Sequence, residues 1–101
     1  MTPIAIARHH DERTSSGTFD LEKDGRAAGY LSYRLSGDST MIVEFVEVDP
    51  ALRGQGMGER LVGAAVDWAR SNGRRIVPHC AYARLVLART AAYRDVLAPG
   101  G

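Results

Sequence analysis

The sequence predicts an α+β fold, in which helices cover an antiparallel sheet. Three observations predict it: polarity alternates with a period of two in the first half, one strongly amphipathic helical segment follows, and turn-forming residues separate the segments. The chain has 101 residues, 45% of them apolar and 25% charged. This is the size and composition of one globular domain over residues 1–101.

Three strands linked by turns are predicted between residues 18 and 48. Thr18–Lys23 alternates weakly, and Asp24-Gly25 is a pair that tight hairpin turns favour, because both positions need positive φ. Residues 26–35 alternate clearly, and Thr40–Val48 is rich in β-branched residues. His9 and His10 lie in a polar N-terminal stretch for which no strand is predicted, and the three hairpin-linked strands are expected to form an antiparallel meander.

The second half is predicted to be helical around one short strand. Met57–Asn72 gathers its apolar residues on one broad side of a helix, with Trp68 in the core, and Asn72-Gly73 is a good helix end. Residues 74–78 are predicted as a strand. Residues 82–97 are helical in composition, with Thr90 capping a second short helix within them.

Charge and cysteine content narrow the range of functions. Thirteen basic and 12 acidic residues give a net charge of +1, whereas nucleic-acid binders usually show a basic patch. Cys80 has no partner for an internal disulfide, which favours a reducing compartment and a cytoplasmic location. The apolar start of the chain is too short for a signal peptide or a membrane span. His9 and His10 lack the spaced partners of a metal site, so no metal is predicted.

The chemistry is concentrated in the segment before the long helix. Gly54, Gly56 and Gly58 alternate there, and a helix start offers unpaired N–H groups and a partial positive charge. Arg53 adds forked donors suited to phosphate oxygens. The spacing matches neither the nucleoside triphosphatase loop nor the dinucleotide fingerprint. A plain glycine-rich corner, the alternative, leaves Arg53 unexplained, so phosphate binding is predicted. The residues assigned to it are Arg53, Gly54, Gln55, Gly56, Met57 and Gly58.

This segment resembles motif A of the GCN5-related N-acetyltransferases, Gln/Arg-x-x-Gly-x-Gly/Ala. The resemblance extends along most of the chain to a branch of short proteins about as long as this one. The matching residues occur in the branch's order: Asp24-Gly25, Ala28-Gly29, Tyr33, Glu47-Val48, Pro50, Arg53-Gly54, Gly56, Pro78-His79-Cys80 and Tyr93–Leu97.

The resemblance implies a minimal acetyltransferase fold that binds the pyrophosphate of acetyl-CoA and moves the acetyl group to a primary amine, such as a protein lysine. It implies that the strand ending at Val48 splays from its parallel neighbour, and that backbone groups of Val46 and Val48 pair with the pantetheine amides. The branch lacks the N-terminal helices of larger relatives. An acceptor site that is open or completed by a partner is therefore expected, in a monomer or weak homodimer.

Two residues are the candidates for catalysis. Cys80 matches the late cysteine of the branch and opens a helix, where a thiolate is stabilised, so it is either a nucleophile or a shaper of the thioester site. Glu47 is the carboxylate nearest the cofactor strand and could take a proton. Tyr82 either protonates the leaving thiolate, as in larger relatives, or packs in the core. Relatives usually carry His-Thr where this chain has Phe45-Val46, which makes a non-catalytic acyl-CoA-binding or sensing module the alternative.

Overall fold

The computed structural model describes residues 3–99. Its sheet contains five strands in chain order, and each strand lies beside the next one in the sequence. The first four run antiparallel, and the fifth is parallel to the fourth. The strands are β1 (Ile4–Asp11), β2 (Ser16–Lys23), β3 (Arg26–Ser36), β4 (Thr40–Val48) and β5 (Arg75–Pro78).

Two α-helices complete the predicted α+β fold. Helix α1 (Met57–Ser71) connects β4 to β5, and α2 (Ala81–Arg89) follows β5. Short 3-10 helices span Pro50–Leu52 and Ala91–Tyr93. Helix α1 packs on β2, β3 and β4 and also contacts α2, so both helices lie on the same side of the sheet. No helix in the described residues is both long and apolar enough to span a membrane.

The first strand was not predicted, and it extends the predicted three-stranded meander to four antiparallel strands. β1 pairs with β2 along its whole length, from Ile4 opposite Lys23 to Asp11 opposite Ser16. Ile4 and Ile6 pack against the edge of the core, while Ala5 and Ala7, which alternate with them, are exposed. This alternation covers too few residues to predict a strand by itself.

The predicted amphipathic helix is confirmed as α1, and its apolar side forms the core together with the sheet. Trp68 is the exception, since it is only partly buried. Its ring lies 4.3 Å from the Arg8 guanidinium carbon and 6.0 Å from the Tyr33 ring centroid. The buried residues of α1 are Gly58, Leu61, Val62, Ala65, Val66 and Ala69.

The second helix is shorter than predicted. Helix α2 ends at Arg89, and Thr90 precedes the 3-10 turn without a capping bond from its side chain. The chain then runs beside β5, where the Ala98 N–H donates to the Ile76 carbonyl at 2.9 Å. Composition favoured a helix here, but pairing with β5 holds the end of the chain extended.

A β-bulge in β4 changes which residues face the core. Tyr33 pairs with Val43 and Ser32 pairs with Phe45, so Glu44 is an extra residue in β4. Such a bulge re-aims the strand and inverts the alternation after it. Met41 and Val43 are buried before the bulge, and Val46 and Val48 pack against the core after it. Phe45 and Glu47 consequently face the other side of the sheet.

Candidate functional site

The site begins where β4 and β5 separate. The two strands pair only from Thr40 opposite Arg75 to Val43 opposite Pro78, and the His79 N–H then donates to the Val43 carbonyl at 2.8 Å. Beyond that bond, β4 continues to Val48 with no strand beside it on this side, within the described residues. The predicted splay is therefore present.

Backbone groups of β4 point into this splay. The Asp49 N–H donates to the Ala28 carbonyl on the β3 side at 2.8 Å. Because backbone groups alternate in direction along a strand, those of Glu47 also point to β3, and those of Val46 and Val48 point away from it. The prediction that Val46 and Val48 offer amide partners fits this geometry, and the bulge produces it.

The loop after β4 leaves open space above its glycines. The Asp49 carboxylate accepts the Ala51 N–H at 3.0 Å and starts the 3-10 turn. Gly54 and Gly56 then adopt positive φ angles of 83° and 77°, and a Cβ built on either would meet no heavy atom within 4 Å. Glycine is required at both positions by conformation, and the backbone there is accessible to a ligand.

The start of α1 supplies hydrogen-bond donors to the same space. The first backbone bond at this end of the helix runs from the Arg60 N–H to the Gly56 carbonyl at 3.1 Å. The N–H groups of Met57, Gly58 and Glu59 precede it and have no partner within the helix. They border a cavity of about 500 Å³, here called the splay cavity. Its lining residues are Val46, Glu47, Val48, Leu52, Arg53, Gly54, Gly56, Met57, Gly58, Glu59, Tyr82 and Arg89.

Gly58 has a different role from the other two glycines. A Cβ on Gly58 would lie 2.7 Å from the Tyr82 hydroxyl and 2.9 Å from its ring. Gly58 therefore makes room for Tyr82, which is 38% exposed and lines the cavity instead of entering the core. Partial burial raises the pKa of Tyr82, and the negative charge of Glu59 raises it further.

Two charged residues of the cavity were not predicted. Arg89 of α2 donates to the Glu59 carboxylate of α1 at 3.0 Å. Glu59 could have been noticed, since it lies in the first turn of the helix, but nothing local marks Arg89. With those two paired, Arg53 is the cavity's cation that makes no ion pair within residues 3–99.

Two predicted site residues lie outside the cavity lining. Gln55 turns back into its own loop: its N–H donates to the Leu52 carbonyl at 3.3 Å and its side-chain amide to the Ala51 carbonyl at 3.4 Å. Cys80 is the N-cap residue of α2 and packs against the hydrophobic core. Glu47, in contrast, does line the cavity. Among the described residues, no group of three or more His, Cys, Asp or Glu side chains could hold a metal.

The family model described as GCN5-related N-acetyl-transferase matches residues 18–96. The chain belongs to this family. An uncharacterised N-acetyltransferase of Methanocaldococcus jannaschii is 33% identical to it, over 65% of this chain and 32% of the relative. The match thus spans about a third of that longer protein.

Solved structures show the same fold. A GCN5-like protein from Staphylococcus aureus is 25% identical, with a TM-score of 0.67 over 91% of this chain and 87% of that one. A GNAT-family acetyltransferase from Elizabethkingia anophelis, solved with acetyl-CoA bound, is 14% identical, with a TM-score of 0.69 over 85% and 72% of the two chains. At 14% identity, the similarity to the Elizabethkingia anophelis protein shows a shared fold and no more.

Proposed function

We propose that this chain transfers an acetyl group from acetyl-CoA to a primary amine. One observation carries the proposal: the splay cavity combines an open glycine loop, unpaired helix donors, free strand amides and a tyrosine hydroxyl. A phosphate-binding loop without acyl chemistry would need only the first two. Family membership supports the same reading.

The residues around the cavity fit the donor molecule. Arg53 and the backbone at Gly54, Gly56 and the start of α1 would hold its pyrophosphate, because open space and unpaired N–H groups coincide there. Backbone groups of Val46 and Val48 would pair with the pantetheine amides. When bound, acetyl-CoA supplies the activated acetyl thioester.

Proton transfer is assigned to two side chains. Glu47, directly or through a water molecule, takes a proton from the acceptor ammonium, so that the amine can attack the thioester carbonyl. After the attack, the nitrogen loses its second proton to solvent, the carbon–sulfur bond of the thioester breaks, and Tyr82 gives its proton to the departing thiolate and regains one from solvent. A tyrosine hydroxyl, whose ordinary pKa is about 10, is protonated at neutral pH and can act as the donor in this step.

Of the roles considered for Cys80, we assign it packing and not nucleophilic attack. Its place beside the hydrophobic core and outside the cavity lining favours direct attack by the amine. Cys80→Ala should retain near-normal turnover, and acetyl-CoA without an amine should leave the intact chain unmodified. An acetyl group on Cys80, detected by mass spectrometry, would restore the nucleophile mechanism.

The proposal is tested by binding and by turnover. CoA at 100 times its dissociation constant should stabilise the fold by about 2.7 kcal/mol, measured by thermal unfolding. Acetyl-CoA should then release free CoA, detected by a thiol reagent, when amines are added. An unmoved melting temperature at millimolar CoA would contradict the cofactor assignment.

A second candidate is a non-catalytic acyl-CoA-binding or sensing module. It is favoured by Phe45, which stands where relatives carry His and whose side chain is 61% exposed on the uncovered side of the sheet. A phenyl ring cannot accept a proton. CoA binding without CoA release, across a panel of amines and lysine peptides, would identify this module.

A cytoplasmic location and a monomer or weak homodimer complete the proposal. The single cysteine supports the first. Fractionation of cells and sedimentation of the purified chain test the two properties separately.

A further inference from the structure

One side of the sheet is uncovered. Both helices lie on the opposite side, and in the described residues nothing covers the side from which Tyr30, Phe45 and Glu47 project, here called the open face. Asp20, Tyr30 and Glu47 are direct cross-strand neighbours on three successive strands, so they form one row across it. Tyr30 is 38% and Phe45 61% exposed.

Acidic residues dominate one end of the open face. A cavity of about 640 Å³ there is lined by carboxylates and contains no lysine or arginine among its lining residues. His9 also lines this cavity, 3.4 Å from Asp20, and Arg34 lies farther along the face, 3.6 Å from Glu44. Since the whole chain has a net charge of +1, the negative charge is local. The acidic lining residues are Asp20, Glu22, Glu47 and Asp49.

The acidic cavity adjoins the proposed catalytic centre. Glu47 and Val48 line both this cavity and the splay cavity. A molecule held on the open face would therefore reach the thioester from the side opposite the helices. This connection gives the acidic end a place in the acetyl transfer.

We propose that the open face docks a basic polypeptide segment and presents one of its lysines to the splay cavity. The inference rests on the proposed acetyl transfer and narrows its acceptor to protein lysines flanked by cations. Charge complementarity selects this occupant, because lysine and arginine side chains lay their stems on apolar surface and stack on aromatic rings such as Tyr30 and Phe45. A second copy docked through its own open face would bring like charges together.

Three peptides that contain one lysine test the preference. The lysine is flanked by arginines, by serines or by glutamates, and kcat/KM is measured by CoA release at low and high salt. We expect the arginine-flanked peptide to be the best substrate and the glutamate-flanked one the poorest. The difference should shrink with salt, because exposed charges are screened.

Paired variants locate the preference on the open face. Asp20→Asn with Glu22→Gln removes two of its charges and keeps the side-chain shapes. Asp38→Asn with Asp67→Asn removes the same charge from exposed positions on the β3–β4 turn and on α1. The first pair should lower kcat/KM for the arginine-flanked peptide about fivefold, which corresponds to the loss of two exposed charge pairs. It should leave kcat/KM for the serine-flanked peptide unchanged. The control pair should change neither.

A binding assay separates this inference from the proposed function. The arginine-flanked peptide, with norleucine in place of lysine, is titrated by fluorescence anisotropy against the chain and both paired variants. Binding that only the open-face pair weakens supports the docking surface, and if no amine is acetylated, the acetyl transfer fails while the surface stands. The docking surface would be overturned if the peptide did not bind, or if both pairs of substitutions weakened its binding equally. It would also be overturned if the chain self-associated and the open-face pair abolished that self-association.

Discussion

The molecule places a tyrosine against a glycine at two sites, with opposite results. A Cβ on Gly17 would lie 2.8 Å from the Tyr33 hydroxyl, and a Cβ on Gly58 would lie 2.7 Å from that of Tyr82. Tyr33 is 1% exposed, and its hydroxyl accepts from the Arg8 Nε at 2.8 Å and lies 2.9 Å from the His10 Nδ1.

Tyr82 differs from Tyr33 in burial and in hydrogen bonding. It is 38% exposed, faces a cavity, and its hydroxyl makes no hydrogen bond to another residue in the part of the chain that the structure describes. A buried hydroxyl with its partners satisfied holds structure together, since breaking such a bond is costly. An accessible hydroxyl with a free proton is suited to chemistry. We therefore expect the Tyr33 site to support stability and the Tyr82 site to serve the proposed acetyl transfer.

Alanine substitutions at Gly17 and Gly58 should differ most in their effects on stability and turnover. Gly17→Ala would overlap the backbone carbonyl of His9, which cannot move aside, and should cost about 3 kcal/mol of unfolding free energy. Gly58→Ala meets only the Tyr82 side chain, which can rotate outward, so urea unfolding should change little while turnover falls. Equal loss of stability in both variants would contradict the comparison.

Phenylalanine substitutions at the two tyrosines should likewise affect different properties, turnover at Tyr82 and stability at Tyr33. Tyr82→Phe should lower kcat about 100-fold by removing a general acid, with unfolding unchanged. Tyr33→Phe leaves Arg8 and His10 without their common partner and should cost about 2 kcal/mol of stability, with normal turnover per folded molecule. Normal kcat in Tyr82→Phe would remove the proton-donor assignment and leave the hydroxyl without a function.

The arginines extend the comparison with a smaller effect. Arg8 is held by Tyr33 and Trp68, whereas Arg53 is exposed and without an ion-pair partner in residues 3–99. Arg53→Ala should weaken CoA severalfold at low salt, and added salt should narrow the gap to the wild type. Calorimetric titration measures both, with Arg94→Ala as a control of equal charge. Equal affinity at low salt would exclude Arg53 from the phosphate site.

The smallest effect is expected for an ion pair that is fully hydrogen-bonded but exposed to solvent. Arg70 binds both carboxylate oxygens of Asp95, at 2.7 and 2.8 Å, and this hydrogen bonding lowers the pKa of Asp95. Because the folded pKa lies below the unfolded one, the contribution is present above about pH 4 and is lost as the pH falls through the folded pKa. Asp95→Asn should remove a small part of the acid-induced loss of stability. Acid unfolding curves identical to the wild type would show that this pair contributes nothing.

Features set by neighbouring residues were predictable from the sequence. The Asp24-Gly25 turn, helix α1 and the glycine loop behind Arg53 follow from local conformational preference and hydrophobic periodicity. The positive φ angles at Gly54 and Gly56 agree with the predicted loop. β1 was missed because only Ile4 and Ile6 signal it, and α2 was overextended because the pairing of Leu97 with Ile76 is not visible in composition.

The sequence by itself indicated the family through motifs that occur in order along the chain, and it predicted the fold class and a phosphate-binding loop from patterns among neighbouring residues. Only the tertiary structure decided which candidates share a cavity. It brought Tyr82 and Arg89 to the start of α1, kept Glu47 at the splay, and left Gln55 and Cys80 outside. Those placements depend on the bulge in β4 and on contacts between helices distant in sequence, which no local pattern encodes.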